Sequence, residues 1–238
     1  MTPHPPRGAK KRALLTVERL RDLYKAATEL TYEDAFQLLI ATVLSAQTTD
    51  RSVNLVTPEL FRRYPTALDL AAADPAVVET LIKPTGFFRL KTKRIIAASR
   101  ALVELFGGEV PRTMEDMTKI AGIGRKTANV ILGAGFDSPG FAVDTHVKRL
   151  TNRIGMAATK DPVKIEYQVT SMVPKEEWTG LSLRLILHGR RVCLARRPRC
   201  EECVLNDFCP SSLLRPGRRL GKGRPIGEAP GSDIKLAR

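Results

Sequence analysis

Four cysteines, Cys193, Cys200, Cys203 and Cys209, fall within a 17-residue window with the spacing C-x6-C-x2-C-x5-C, and the 238-residue chain has no others. Four thiolates that close together can hold a metal centre. A disulfide framework fits poorly, because no apolar signal segment opens the chain and this length can bury a core without staples. Structural zinc accepts four thiolates but usually pairs two short C-x2-4-C knuckles, and here only Cys200 and Cys203 form one. An iron–sulfur cubane tolerates uneven spacing, since each thiolate ligates a separate iron. The spacing matches neither ferredoxin pattern, so electron transfer is not the first reading; a structural 4Fe–4S cluster is.

A second stretch with chemical potential is Ile120-Ala121-Gly122-Ile123-Gly124-Arg125-Lys126-Thr127-Ala128. Two glycines allow a tight hairpin with positive φ between a helix ending near Ile120 and another starting near Arg125. Such a turn aims unpaired backbone N–H groups, at the positive end of a helix dipole, toward a phosphate. This is the pattern of a helix-hairpin-helix element, which grips the DNA backbone without reading bases; a plain helix–helix turn is the competing reading. Eighteen residues after Lys126 comes Val143-Asp144-Thr145-His146, where Asp144 can cap a helix through Val147, Leu150 and Ile154. Taken separately, Asp144 reads as a cap and Lys126 as a phosphate contact.

Charge narrows the partner. The formal net charge is +14, and no apolar run is long enough to suggest a membrane span, so a polyanion, by default nucleic acid, is expected. Residues 1–12 carry +4 and residues 211–238 carry +5, leaving +5 on the body. Both tails are rich in Pro, Gly and charge and read as disordered, either as solubilising extensions or as DNA-sampling arms. A further basic run, Arg184, Arg190, Arg191, Arg196, Arg197 and Arg199, lies beside the cysteines.

The elements that must position these groups read as helices. Thr16 is a candidate cap for Val17, Leu20, Leu23, Tyr24 and Ala27. Thr31 and Asp34 open the almost wholly apolar stretch Ala35 to Leu44, which reads as buried on all sides. Asp74-Pro75 and Asp161-Pro162 place a capping acid before a proline at the first helical position, and Thr66-x-x-Asp69 and Thr113-x-x-Asp116 are further starts. No alternating strand pattern stands out. The class is all-α, with length for one or two lobes.

Taken together, Leu44-Ser45-Ala46-Gln47-Thr48-Thr49-Asp50, Gly122 to Asn129, Val143-Asp144-Thr145-His146, Leu187-His188-Gly189-Arg190 and the four cysteines, in this order, resemble the endonuclease III family of base-excision-repair DNA glycosylases. The resemblance spans residues 13–210. It implies two helical lobes with a DNA-binding cleft between them: a six-helix barrel lobe over 29–138, and a cluster lobe from 13–28 plus 139–210, with basic tails at 1–12 and 211–238. Lys126 and Asp144 would face each other across that cleft as the catalytic pair. It further implies a 4Fe–4S cluster on Cys193, Cys200, Cys203 and Cys209, and a duplex-DNA partner carrying damaged pyrimidines or abasic sites. A monomer in the cytoplasm, associated with the nucleoid and with no membrane, is expected. Gln47 would fill the gap left by an extruded lesion and Phe87 would act as an apolar wedge, its competing reading being core packing. Ser45 and His146 would border the lesion pocket, while Gly122, Ile123, Gly124, Arg125 and Thr127 would grip backbone. His188 reads as a packed structural histidine.

The chemistry asks for this pair. A lysine nucleophile works only when neutral, and its reference pKa of about 10.4 leaves little free amine near neutrality. Desolvation, Arg125 and the helix N-terminus are expected to lower it. A charged Asp144 would stabilise an oxocarbenium-like sugar as the base leaves, after which Lys126 holds C1′ as a Schiff base that acidifies C2′ for β-elimination. Three departures from the family pattern touch wedge and lobe surfaces: Ala121 in place of proline, Arg89-Leu90 after the wedge turn, and Ser182-Leu183-Arg184. Two other functions compete. An adenine-mismatch glycosylase would carry a catalytic Glu at the position of Thr42 and lack the lysine, and a non-catalytic DNA-binding protein would not need Lys126 and Asp144 together.

Overall fold

The computed structural model describes residues 4–26, 28–136 and 138–214. Among them are eleven α-helices and three short 3-10 turns, with no strand. In chain order the helices are α1 (Ala9–Leu23), α2 (Ala35–Leu44), α3 (Asp50–Arg63), α4 (Ala67–Ala71), α5 (Pro75–Ile82), α6 (Phe88–Phe106), α7 (Met114–Met117), α8 (Arg125–Gly135), α9 (Thr145–Ile154), α10 (Pro162–Thr170) and α11 (Trp178–Arg191).

Local chemistry sets most of the starts. Asp34, Thr66, Asp74, Thr113 and Asp161 each accept a backbone N–H from the first turn of the helix they precede, satisfying donors that have no partner within the helix. Thr16 behaves differently. It is buried in the middle of α1, where its hydroxyl donates to the Arg12 carbonyl at 2.7 Å. The helix starts at Ala9, inside the stretch 1–12 read as a disordered tail. Arg12 anchors that first turn by donating to the Gly155 carbonyl at 2.7 Å, and Ala9 and Ala13 are buried beneath it. Within the C-terminal basic tail, residues 215–238 lie outside the described residues.

Buried apolar side chains form two clusters. One gathers Leu30 through Leu132, with Leu38, Leu39, Ile40, Leu60, Leu70, Ile95 and Leu102 at its centre, and α2 runs through it. The other joins Ala13, Val17 and Leu20 of α1 to Phe141, Val147, Leu150, Ile165, Leu181, Leu185 and Leu205. α1 thus packs with elements far along the chain, because its apolar stripe has no other surface to cover.

On the way from the first cluster to the second, residues 138–144 are tightly seated. The Phe141 backbone N–H donates to the Asn129 side-chain oxygen at 3.2 Å, and the Ser182 hydroxyl donates to the Ala142 carbonyl at 2.7 Å. A Cβ on Gly140 would fall against the Asn129 carbonyl oxygen, and one on Gly133 would lie 2.5 Å from the Thr179 hydroxyl. Only glycine at 140 allows its backbone to come so near that of Asn129. Gly140→Ala is therefore expected to cost about 1–3 kcal/mol, as overpacking does where the obstructing atom is backbone. Urea denaturation measures this, and a variant as stable as the parent would contradict the close approach.

Candidate active site

The hairpin before α8 is built as its glycines require. Gly122 has φ +81° with open space around it, whereas Gly124 sits at the N-cap of α8 with φ −89°. Only Gly122 thus uses the left-handed region. Ile123 is buried and donates its N–H to the Ile120 carbonyl at 3.0 Å, fixing the turn to the first cluster. No side chain caps α8, so the first N–H groups of the helix face outward as donors for an anion. Lys126 is exposed at this end and Thr127 half-buried.

Arg125 takes a different course from its expected one. Its guanidinium forms a two-point ion pair with Glu166 of α10, at 2.8 and 2.7 Å, and lies over the Tyr167 ring at 5.3 Å. It therefore works as a strut between α8 and α10. The arginine charge is thus balanced by Glu166, and Lys126 beside it is exposed.

Asp144 is the N-cap of α9. One carboxylate oxygen accepts the Val147 N–H at 2.7 Å, and the residue is half-buried. Capping occupies one oxygen of a group that can accept several bonds, so the residue can cap and still present charge. Its position relative to Lys126 is set by the seam: Asn129 lies one turn beyond Lys126 on α8, and Phe141, which it holds, is three residues before Asp144. His146, also half-buried, has Nδ1 3.1 Å from the Arg149 guanidinium, and a Cβ on Gly189 would come within 2.9 Å of it.

The two candidate insertion residues share a feature. Among the described residues, Gln47 (φ 56°) and Phe87 (φ 47°) are the non-glycine residues with positive φ, a conformation worth about 1–3 kcal/mol of strain. Both are exposed, Phe87 by 65 %. Its neighbour Phe88 packs against the first cluster. Ser45 ends α2, its hydroxyl donating to the Thr42 carbonyl at 2.8 Å. Beside this loop is a hollow of about 690 Å³ lined by Thr48, Thr49, Asp50 and Arg190, where Arg190 reaches Glu29 at 3.1 Å and Asp50 at 3.6 Å.

Cys193, Cys203 and Cys209 pack half-buried against the second cluster, and Cys200 is buried. Burial pushes the Cys203 thiol up to about 11, with Cys193, Cys209 and Cys200 adding to the rise. A thiol held protonated in this way needs a bound cation to become a ligating thiolate. Among the described residues no three His, Cys, Asp or Glu groups close on a single metal ion, whereas a multi-iron cluster asks for one thiolate per iron. α9 braces the loop: Arg149 and Arg153 donate to the carbonyls of Cys193, Leu194 and Ala195. The fully buried His188 lies 3.1 Å from the Tyr24 hydroxyl and 3.3 Å from the Cys203 sulfur, and burial lowers its pKa to about 4. The residues present fit a 4Fe–4S group.

Three contributors escaped the sequence reading. Asn129 and Glu166 act on partners 12 and 41 residues away, and nothing local marks them. Lys91 had a signal, for it falls on the buried stripe of α6 with Ile95, Ala98 and Leu102.

Comparison with known proteins agrees with this construction. A family model for the HhH-GPD superfamily base excision DNA repair protein matches residues 40–175, and one for the iron-sulfur binding domain of endonuclease III matches residues 193–209. Endonuclease III of Synechocystis is 49 % identical over 85 % of this chain and 94 % of its own length, and that of Escherichia coli K12 is 41 % identical over 84 % and 95 %. A solved non-covalent endonuclease III–DNA complex superposes with a TM-score of 0.80 at 37 % identity, covering 85 % of this chain and 96 % of that one. A trapped endonuclease III–DNA covalent intermediate superposes equally well. The chain belongs to the endonuclease III family, within the HhH-GPD superfamily of base excision DNA repair proteins.

Proposed function

We propose that this base-excision-repair glycosylase and abasic-site lyase removes oxidised pyrimidines from duplex DNA, with Lys126 as nucleophile and Asp144 as its charged partner. The observation that carries the reading is the seam that joins the start of α8 to the start of α9 through Asn129 and Phe141. It makes the positions of an exposed amine and a capping carboxylate depend on each other.

The uncapped N-terminus of α8 and the Gly122 turn bind the phosphates flanking the lesion. A stacked base shields its C1′, so the nucleotide must leave the helix, with Phe87 entering as wedge and Gln47 filling the gap. DNA closing over the cleft removes the water that surrounds Lys126 in the free protein. Neutral Lys126 attacks C1′ as the base departs, and Asp144 stabilises positive charge developing on the sugar. The C1′–O4′ bond then breaks, the ring oxygen taking up a proton, and the resulting Schiff base acidifies C2′; a C2′ proton leaves and its electron pair expels the 3′-phosphate. Cys193, Cys200, Cys203 and Cys209 hold the 4Fe–4S cluster, which supplies cross-links for the second lobe rather than redox chemistry for this reaction. The protein acts as a monomer in the cytoplasm, at the nucleoid; no helix among the described residues is long and apolar enough to cross a membrane.

Two measurements follow from these assignments. On duplexes bearing thymine glycol, dihydrouracil, uracil or an abasic site, the oxidised pyrimidines should be excised and the abasic site nicked. Asp144→Asn should slow base removal on the order of 10²–10³-fold while keeping the helix cap, since Asn caps about as well as Asp; full activity would reduce Asp144 to a cap. Anaerobically purified protein should contain about four irons per chain with a broad band near ~400 nm. Cys200→Ala should lose iron and destabilise the second lobe, whereas zinc in place of iron would overturn the cluster assignment.

A further inference from the structure

Two unfavourable features meet at one turn. Gly86 and Phe87 both have positive φ, 67° and 47°. Glycine adopts this freely, but a phenylalanine there crowds its own Cβ, and Phe87 at 65 % exposure recovers little by burial. Four residues on, Lys91 is buried to 2 % exposure on the apolar stripe of α6, and burial pushes its pKa below the ordinary lysine range. A methionine would fill that space without the cost of desolvating an amine. Packing alone therefore does not account for the lysine.

Its side-chain hydrogen bond does. The Lys91 ammonium donates to the Thr85 carbonyl at 2.7 Å, while its backbone N–H makes the ordinary first helical bond to the Phe87 carbonyl at 3.0 Å. Thr85 is itself buried and donates its hydroxyl to the Ile82 carbonyl at 2.8 Å, tying the turn to the end of α5. One residue thus brackets the two positive-φ positions from both sides. A strained backbone persists where its surroundings over-determine it.

We propose that Lys91 is a positioning residue for lesion extrusion, locking the Gly86–Phe87 turn so that the phenylalanine stands as a rigid wedge before DNA arrives. The inference rests on the reading of Phe87 as the wedge. Rigid presentation matters because a flexible aromatic loses conformational entropy when it enters the base stack, and that loss opposes extrusion. Excision of a stacked base should feel this strongly. Nicking of a preformed abasic site, where no base has to unstack, should feel it less.

Single-turnover rates of the cluster-loaded protein on a duplex with paired dihydrouracil, and on the same duplex with an abasic site, provide the test. Lys91→Met should lower the ratio of base removal to abasic-site nicking at least about tenfold, and Phe87→Ala should do likewise. The double variant should show no further drop, because both substitutions disable one device. If Lys91→Met slows both reactions in proportion, or the double variant is additive, Lys91 is merely structural. An effective Phe87→Ala with an inert Lys91→Met defeats the proposal alone, while an inert Phe87→Ala defeats the wedge reading and the proposal with it. Should Lys91→Met fail to fold, Lys91→Gln serves instead: its amide falls about one bond, ~1.5 Å, short of Thr85. The ratio should then fall about threefold, and an unchanged ratio would overturn the proposal.

Discussion

The proposed reacting groups, Lys126 and Asp144, begin helices that belong to different cores, so their chemistry depends on how rigidly those cores are joined. The joint is backbone-close. The Asn129 side chain accepts the Phe141 N–H, Gly140 lies against the Asn129 carbonyl, and Ser182 ties down Ala142. Each buried hydrogen bond contributes only about 0.5–1.5 kcal/mol. Their value is geometric, because misplacing a reacting group by about 1 Å can cost on the order of 10²-fold in rate. Two arginines add ion pairs between the cores in opposite directions: Arg125 reaches from the first core to Glu166, and Arg190 reaches back from α11 to Glu29 and Asp50. The Arg125 pair has two-point geometry and a largely buried carboxylate, so it outweighs the solvent-screened Arg190 contacts.

The same helix serves the aspartate and the metal loop. α9 starts at Asp144, buries Val147, Leu150 and Ile154, and ends beside the cysteines, where Arg149 and Arg153 hold the carbonyls of residues 193–195. Beyond α11 the described chain has only one further 3-10 turn, over Cys200–Glu202, and few apolar residues apart from Leu205 are buried there. A cross-link through four thiolates replaces the core that this segment lacks. A cluster held there would support the far end of the helix whose near end carries Asp144.

Much of this was legible in the sequence where the governing physics is local. A capping acid or threonine satisfies N–H groups two or three residues away, so Asp34, Thr66, Asp74, Thr113, Asp161 and Asp144 can be read in order along the chain. Thr16 misled because the polar residues before it are good helix formers and docking of Arg12 on Gly155 extends α1 toward the N-terminus. The ion pair of Arg125 could not be read because its carboxylate partner lies in another helix. Lys91 was hidden by its charge, although its place on the stripe of Ile95, Ala98 and Leu102 pointed inward. Of the departures from the family pattern, Ser182 acquires a purpose in the joint, and Arg184 pairs with Glu177 at 3.0 Å. Nothing in the structure explains Leu90.

In the proposed reaction one particular amine, positioned by the joint, becomes covalently attached to the sugar. Borohydride reduction of the protein on a duplex bearing an oxidised pyrimidine should capture a protein–DNA adduct, because it reduces the Schiff base that a lysine lyase must form. Peptide mapping of that adduct should place the modification on Lys126. Lys126→Ala should give no adduct while still binding duplex DNA through the hairpin amides. An adduct mapped to any other amine, or formed undiminished by Lys126→Ala, would contradict the account.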